Sequence, residues 1–268
     1  MGNIRSLIAG LALVLSGTAG AAAADLGLPP PPFEMPVAAP VCCNTGWYFK
    51  GFLGTTNYQV ENLDSANFDT SNFTILDKAF ESSGFGGVGF GYKFNQWLRF
   101  DTTGEYRGKS TFHGLDKYQG DGFSGTNDYT ATLKSWVWLA NAYWDIGCWN
   151  GFTPYVGGGV GYGQNYIGNF HDINVPNAGV AFANTNINGN LAWAVHAGVA
   201  FDVTPNFTVD LAYRYLNLGD MSTDKIQTYD GSGTFPAVDF KNVASNDVML
   251  GFRWKFGGGP APMPIAFK

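Results

Sequence analysis

Apolar and polar positions alternate strictly in one stretch near the end of the chain. Leu191, Trp193, Val195, Ala197, Val199 and Phe201 take one face of an extended segment, and Ala192, Ala194, His196, Gly198, Ala200 and Asp202 take the other. After Val203-Thr204-Pro205-Asn206, Phe207, Val209, Leu211, Tyr213 and Tyr215 alternate with Thr208, Asp210, Ala212 and Arg214. The period of two predicts a β-hairpin with a tight turn. A soluble sandwich would point the apolar face into its core. A transmembrane barrel points it at lipid and fills its lumen with the small and charged face, in strands of about ten residues.

Six further segments read as strands, which makes eight. The first, 47–59, alternates weakly and leaves its facing open. In 84–94, Val88, Phe90, Tyr92 and Phe94 oppose Gly87, Gly89 and Gly91. In 97–107, Leu98, Phe100, Thr102 and Tyr106 oppose Arg99, Asp101, Thr103, Glu105 and Arg107. Segment 130–144 carries WVWLANAYW, and 154–164 sets Val156, Val160 and Tyr162 against Tyr155 and a row of glycines. The last, 245–256, sets Val248, Leu250, Phe252, Trp254 and Phe256 against Asp247, Met249, Gly251, Arg253 and Lys255.

The connections alternate too. Stretches of about twenty to thirty residues, rich in Asn, Asp, Gly, Ser and Thr, follow the first, third, fifth and seventh strands, whereas the other connections are short. A sandwich has no reason to sort its loops this way, while a membrane barrel has short periplasmic turns and long outer loops. The predicted fold is all-β: an eight-stranded antiparallel transmembrane β-barrel with short periplasmic turns and four long extracellular loops. The even strand count places both termini in the periplasm, and aromatics near strand ends, such as Trp47, Trp97 and Trp144, suit interfacial girdles.

Composition agrees with membrane strands. The 268 residues are 16% aromatic and 13% charged and include 37 glycines, so charge is about half that of an average globular domain. A mean hydropathy of -0.06 excludes a bundle of membrane helices. The net charge of -6 and scattered basic residues exclude a nucleic-acid partner, which needs a basic stripe. Residues 1–24 read as a signal peptide, with Arg5 before an apolar core and Ala22-Ala23-Ala24 at the cleavage site. Residues 25–46 read as a Pro-rich periplasmic tether, 47–256 as the barrel, and 257–268 as a Gly/Pro-rich tail.

An eight-stranded lumen is narrow enough for side chains to fill. The expected lumen charge network is Arg99, Asp101, Glu105, Arg107, Asp210, Arg214, Asp247, Arg253 and Lys255. It reads either as a structural plug or as the lining of a narrow pore. His196 faces the lumen, and the three histidines have no chelating spacing, so neither a metal nor a cofactor is expected. Export into an oxidising compartment permits a disulfide, expected between Cys148 and either Cys42 or Cys43, all periplasmic in this topology.

The Ala-Ala-Asp-Leu start followed by a proline run, the Gly-Trp-Tyr first strand, PYVGGGVGYG in the fifth and the aromatic-ending last strand carry a family likeness. The chain resembles the alphaproteobacterial outer-membrane β-barrel surface proteins, akin to the opacity-type proteins and the barrel of outer-membrane protein A, a porin-like group. The resemblance implies the cell outer membrane, lipid and lipopolysaccharide around the barrel, and assembly machinery that reads a terminal aromatic, here Phe256 or Phe267. It specifies topology more than activity. Lipid-modifying barrels carry a His-x-Ser pair, absent here, or His, Ser and Asp together at the outer rim, for which Ser110, His113 and Asp116 are the candidates. The expectation is a non-enzymatic structural and surface-contact protein, supporting envelope integrity and meeting host or cell-surface ligands through its loops. The alternative is a porin-like small-solute channel through the charged lumen.

Overall fold

A computed structural model describes residues 45–65, 72–120 and 123–256. The expected signal peptide, most of the tether and the tail lie outside them, as do Cys42, Cys43 and Phe267. No helix among the described residues is long and apolar enough to cross a membrane, and the regular elements among the described residues are strands. In chain order these are β1 (Gly46–Gln59), β2 (Asn62–Asp64), β3 (Asn72–Phe80), β4 (Ser83–Lys93), β5 (Leu98–Gly120), β6 (Phe123–Asp145), β7 (Phe152–Asn174), β8 (Gly179–Ala183), β9 (Asn186–Thr204), β10 (Phe207–Ser222), β11 (Ile226–Thr228), β12 (Thr234–Phe235) and β13 (Asp239–Lys255).

Eight of them close a ring. The order β1-β4-β5-β6-β7-β9-β10-β13 returns to β1, with every neighbouring pair antiparallel. Closure satisfies all backbone groups within the ring, which is the condition for strands to sit in hydrocarbon. The expected facing follows: Val88, Phe90, Val160, Leu191, Val195, Leu211 and Val248 are exposed on the outer wall. The first strand, left open by its sequence, turns Trp47, Phe49 and Leu53 outward and buries Tyr48, Lys50 and Phe52.

Glycine faces several inward aromatics. A Cβ at Gly91 would come within 2.5 Å of the Tyr48 ring, and one at Gly198 within 2.7 Å of the Tyr155 ring. These bare positions let tyrosines cross a lumen too small for two side chains at one level.

The strands run well past the lipid, into the four long extracellular connections. The third and fourth barrel strands were expected to end and begin at 107 and 130, yet β5 and β6 remain paired from Ser110↔Leu133 to Gly120↔Phe123. β7 likewise continues to Asn174 and pairs with β8, while β3 adds to β5 and β2 to β13. The physical reason is an inversion of side-chain pattern. Inside the membrane β5 buries Arg99, Asp101, Glu105 and Arg107; beyond a bulge at 108–109 it buries Ser110, Phe112, Gly114 and Asp116. The outer wall there meets water and is polar, so the lipid-facing signature ends while the ladder does not.

Bulges recur on other strands. Asn169 on β7, Gly219 on β10 and Asn242 on β13 all take left-handed backbone at 50°, 77° and 52°. Each is a residue type that tolerates that region. Around the level of the bulges Phe112, Leu133, Ile167, Phe170, Leu218 and Phe240 form an apolar core together with further buried residues.

Candidate functional site: the charged lumen

Below that core the lumen is held by ion pairs, arranged in tiers. In the upper tier Arg107 spans the barrel from β5. Its Nη1 donates to Glu105 Oε1 (2.8 Å) and Asp247 Oδ2 (3.0 Å), its Nη2 to Asp247 Oδ1 (2.7 Å), Ser245 Oγ (2.9 Å) and Thr56 Oγ1 (2.5 Å), and its Nε to the Tyr58 hydroxyl (2.8 Å). Arg214 joins the same two carboxylates, donating to Glu105 at 2.7 Å and to Asp247 at 2.7 and 2.9 Å. Two guanidiniums and two carboxylates thus form one neutral unit. All four are at most 1% exposed, so the forked geometry must offset a large desolvation cost.

The middle tier centres on Asp101 and Asp210. Asp101 accepts from the Tyr48 hydroxyl (3.1 Å) and Asn141 Nδ2 (2.8 Å) and lies 3.5 Å from Lys50 Nζ. Arg253 meets Asp210 through two donors at 2.9 and 3.0 Å. His196 is buried here, with Nε2 3.2 Å from Asn141 Oδ1. In the lower tier Asp145 takes Arg99 Nε (2.9 Å) and Lys93 Nζ (2.8 Å), and Lys255 meets Asp202 at 3.1 Å. The Arg99 guanidinium is stacked between the rings of Tyr143 and Tyr155, 4.1 and 4.3 Å from their centroids.

All nine charges read from the sequence lie inward of the wall, but the register supplies partners that were not among them. Lys50 belongs to the strand whose facing was left open. Lys93 continues the glycine face of β4, two residues beyond Gly91, and this parity was available in the sequence. Asp145 lies one residue past the segment 130–144, and Asp202 is the last residue of the polar face that starts at Ala192. Cys148 lies between β6 and β7 at the short-turn end and is disulfide-bonded.

A second polar cluster sits high in the outer ladder. Asp116 and Tyr129 share Asn127, and Asn174 Nδ2 donates to the Tyr118 hydroxyl at 2.6 Å and to Asn127 Oδ1 at 2.9 Å. Burial raises the Asp116 carboxyl, and burial followed by repulsion from Asp116 and Asp128 pushes Asp172 up to about 7. The rim candidates Ser110, His113 and Asp116 do not converge. Ser110 and Asp116 are buried on the inner side, whereas His113 is exposed on the outer side, 3.7 Å from Glu81. Among the described residues no group of His, Cys, Asp and Glu is arranged to hold a metal ion.

A family model described as outer membrane protein beta-barrel domain matches residues 9–256. The chain belongs to this outer-membrane β-barrel family. Outer membrane protein PagN of Salmonella typhimurium is 28% identical over 235 residues, covering 84% of this chain and 96% of that one. An uncharacterized protein of Brucella abortus is 30% identical over 237 residues, covering 80% and 81%. The outer membrane protein OprG of Pseudomonas aeruginosa superposes with a TM-score of 0.50 at 14% identity, covering 80% of this chain and 99% of that one, a likeness of fold alone. The barrel therefore spans the outer membrane, with short turns toward the periplasm and the extended ladder outside the cell.

Proposed function

We propose that this outer-membrane barrel is a closed scaffold that supports the envelope and acts through its outer ladder, not through its bore. The observation that carries this reading is the four-membered unit of Arg107, Arg214, Glu105 and Asp247, tied across the lumen with every guanidinium and carboxylate paired. The apolar core seated above it, around Phe112 and Phe240, adds a second closure. The outer ladder then supplies the surface for contact with a host or another cell. Assembly through a machinery reading Phe256 or Phe267 belongs to the same proposal, as does a disulfide from Cys148 to Cys42 or Cys43 that pins the tether beneath the barrel. Peptide mass mapping without reductant should recover Cys148 joined to one of them, and recovery of three free thiols would remove the bridge.

One observation favours the channel instead. Arg99 Nη1 and Nη2 are buried without a hydrogen-bond partner. Guanidinium N–H groups in that position call for water, and a wet lower lumen is half of what a pore needs. Planar-bilayer recording of the refolded protein beside Arg99→Ala/Glu105→Ala separates the two. The scaffold reading expects a silent bilayer for the native protein, with folding verified by heat-modifiable gel mobility. Steady conductance that the double variant alters would install the channel in its place.

A further inference from the structure

At the level where β5 leaves the membrane, the bulge at 108–109 faces a single residue of β6. The pairing jumps from Arg107↔Ser135 to Ser110↔Leu133, which leaves Lys134 opposite Gly108 and Lys109. Lys109 and Lys134 are both exposed on the outer wall. Facing positions of an antiparallel pair lie about 5 Å apart, and like charges set there are destabilising. Among the described residues neither lysine has a carboxylate within 4.0 Å; the nearby Glu81 is engaged with His113 instead. No ion pair among the described residues neutralises them.

The surroundings say what would. Immediately membraneward on the same two strands lie Tyr106 and Trp136, themselves a facing pair with ring centroids 4.9 Å apart and both outward. Such aromatics mark the boundary between hydrocarbon and headgroups. The lysines therefore sit at headgroup height on the extracellular side. On the other side of β6, the outward positions that face Trp136 and Lys134 are the uncharged Gln164 and Tyr166 of β7. Two outward ammonium groups with no carboxylate within 4.0 Å among the described residues match a dianionic headgroup.

We infer that Lys109 and Lys134 form a clamp for the phosphate of an outer-leaflet glycolipid, with Tyr106 and Trp136 packing against its sugar and proximal acyl chains. Phosphate accepts from both ammonium groups at once, which turns their mutual repulsion into a bidentate site. The inference refines the scaffold proposal by naming a lipid partner. It rests on the membrane placement and not on the closed lumen, so a conducting barrel would leave it standing.

The test titrates fluorescent bis-phosphorylated lipid A into the full chain in neutral detergent. Lysines near a membrane surface contribute about 1 kcal/mol each, so Lys109→Gln/Lys134→Gln should weaken binding about 30-fold. Lys109→Arg/Lys134→Arg should retain it, and Lys117→Gln, farther out on β5, should leave it unchanged. With lipid A stripped of its phosphates, native protein and glutamine variant should bind alike. Heat-modifiable mobility checks that each variant is folded, and if the double variant is not, Lys134→Gln alone should still weaken binding about fivefold. Equal affinity for native and variant, equal loss in Lys117→Gln, or a difference that persists without phosphates would overturn the clamp. Displacement of the lipid by millimolar inorganic phosphate would also overturn it, making the pair a small-anion site.

Discussion

The membrane-embedded half of this barrel and its extracellular half are built from the same strands with opposite chemistry. In the membrane Trp138, Val195 and Leu250 face outward and Arg107, Asp210 and Asp247 are buried; above it Phe112, Phe170 and Phe240 are buried while Lys109, His113 and Lys117 are exposed. The difference lies in what surrounds the wall. Lipid tails accept apolar side chains and leave the lumen as the place for charge, whereas water reverses the preference. A one-residue bulge exchanges the two faces of a strand, and β5 makes the change in two residues, at 108–109.

The sharpest way to break the comparison is to unpair the lumen. Asp247→Ala removes one of the two acceptors shared by Arg107 and Arg214, and loss of one partner from a buried ion network costs about 3–5 kcal/mol. Urea titration in detergent should show the midpoint for the whole barrel falling, and an unchanged midpoint would show that the unit is not structural. Replacing a charge pair with apolar groups, as in Arg253→Met/Asp210→Leu, should be far milder than either single change.

The outer core should respond locally. Phe112→Ala costs about 3 kcal/mol or more through its cavity, yet the membrane ring remains closed beneath it. Proteolysis should nick the outer ladder while heat-modifiable mobility persists, and loss of both together would mean that the two halves fold as one cooperative unit. The outer wall offers a paired test. Val195→Arg, facing lipid, should cost about 2–4 kcal/mol, while Leu115→Arg, on the wall above the lipid, should cost nearly nothing. Similar losses at the two positions would misplace the membrane boundary.

The smallest effect is one of pH. Asp172 has a folded value of about 7, above its unfolded value of 3.8, so the folded ladder holds an extra proton between them. Its stability is greatest below about pH 4, falls as pH rises toward 7 and is level beyond it, with a loss of about 2 kcal/mol once partial exposure is discounted. Protease resistance of the outer ladder should decline across that window in the native chain and decline less in Asp172→Asn, where Asp116, also raised by burial, remains; an equal decline in both would remove Asp172 as the main cause.

The alternation between 191 and 215 was readable residue by residue because lipid imposes one rule on every outward position it touches. The same rule made the inward charges of β5, β10 and β13 visible as a set. It had no hold on Ser110, Phe112 and Gly114, where mixed side chains on a water-facing ladder resemble a polar loop, so the extension of β5 and β6 could not be told from a disordered excursion. Nor does a period of two reveal which guanidinium meets which carboxylate. Arg107 and Asp247 are 140 positions apart, and their meeting depends on ring closure, on the stagger of β1 against β13, and on glycines that let tyrosines share the lumen. Strand identity and facing are local consequences of the solvent each side chain meets. The pairings across the lumen and the bulges that reverse its character follow from register, and register exists only once the ring has closed.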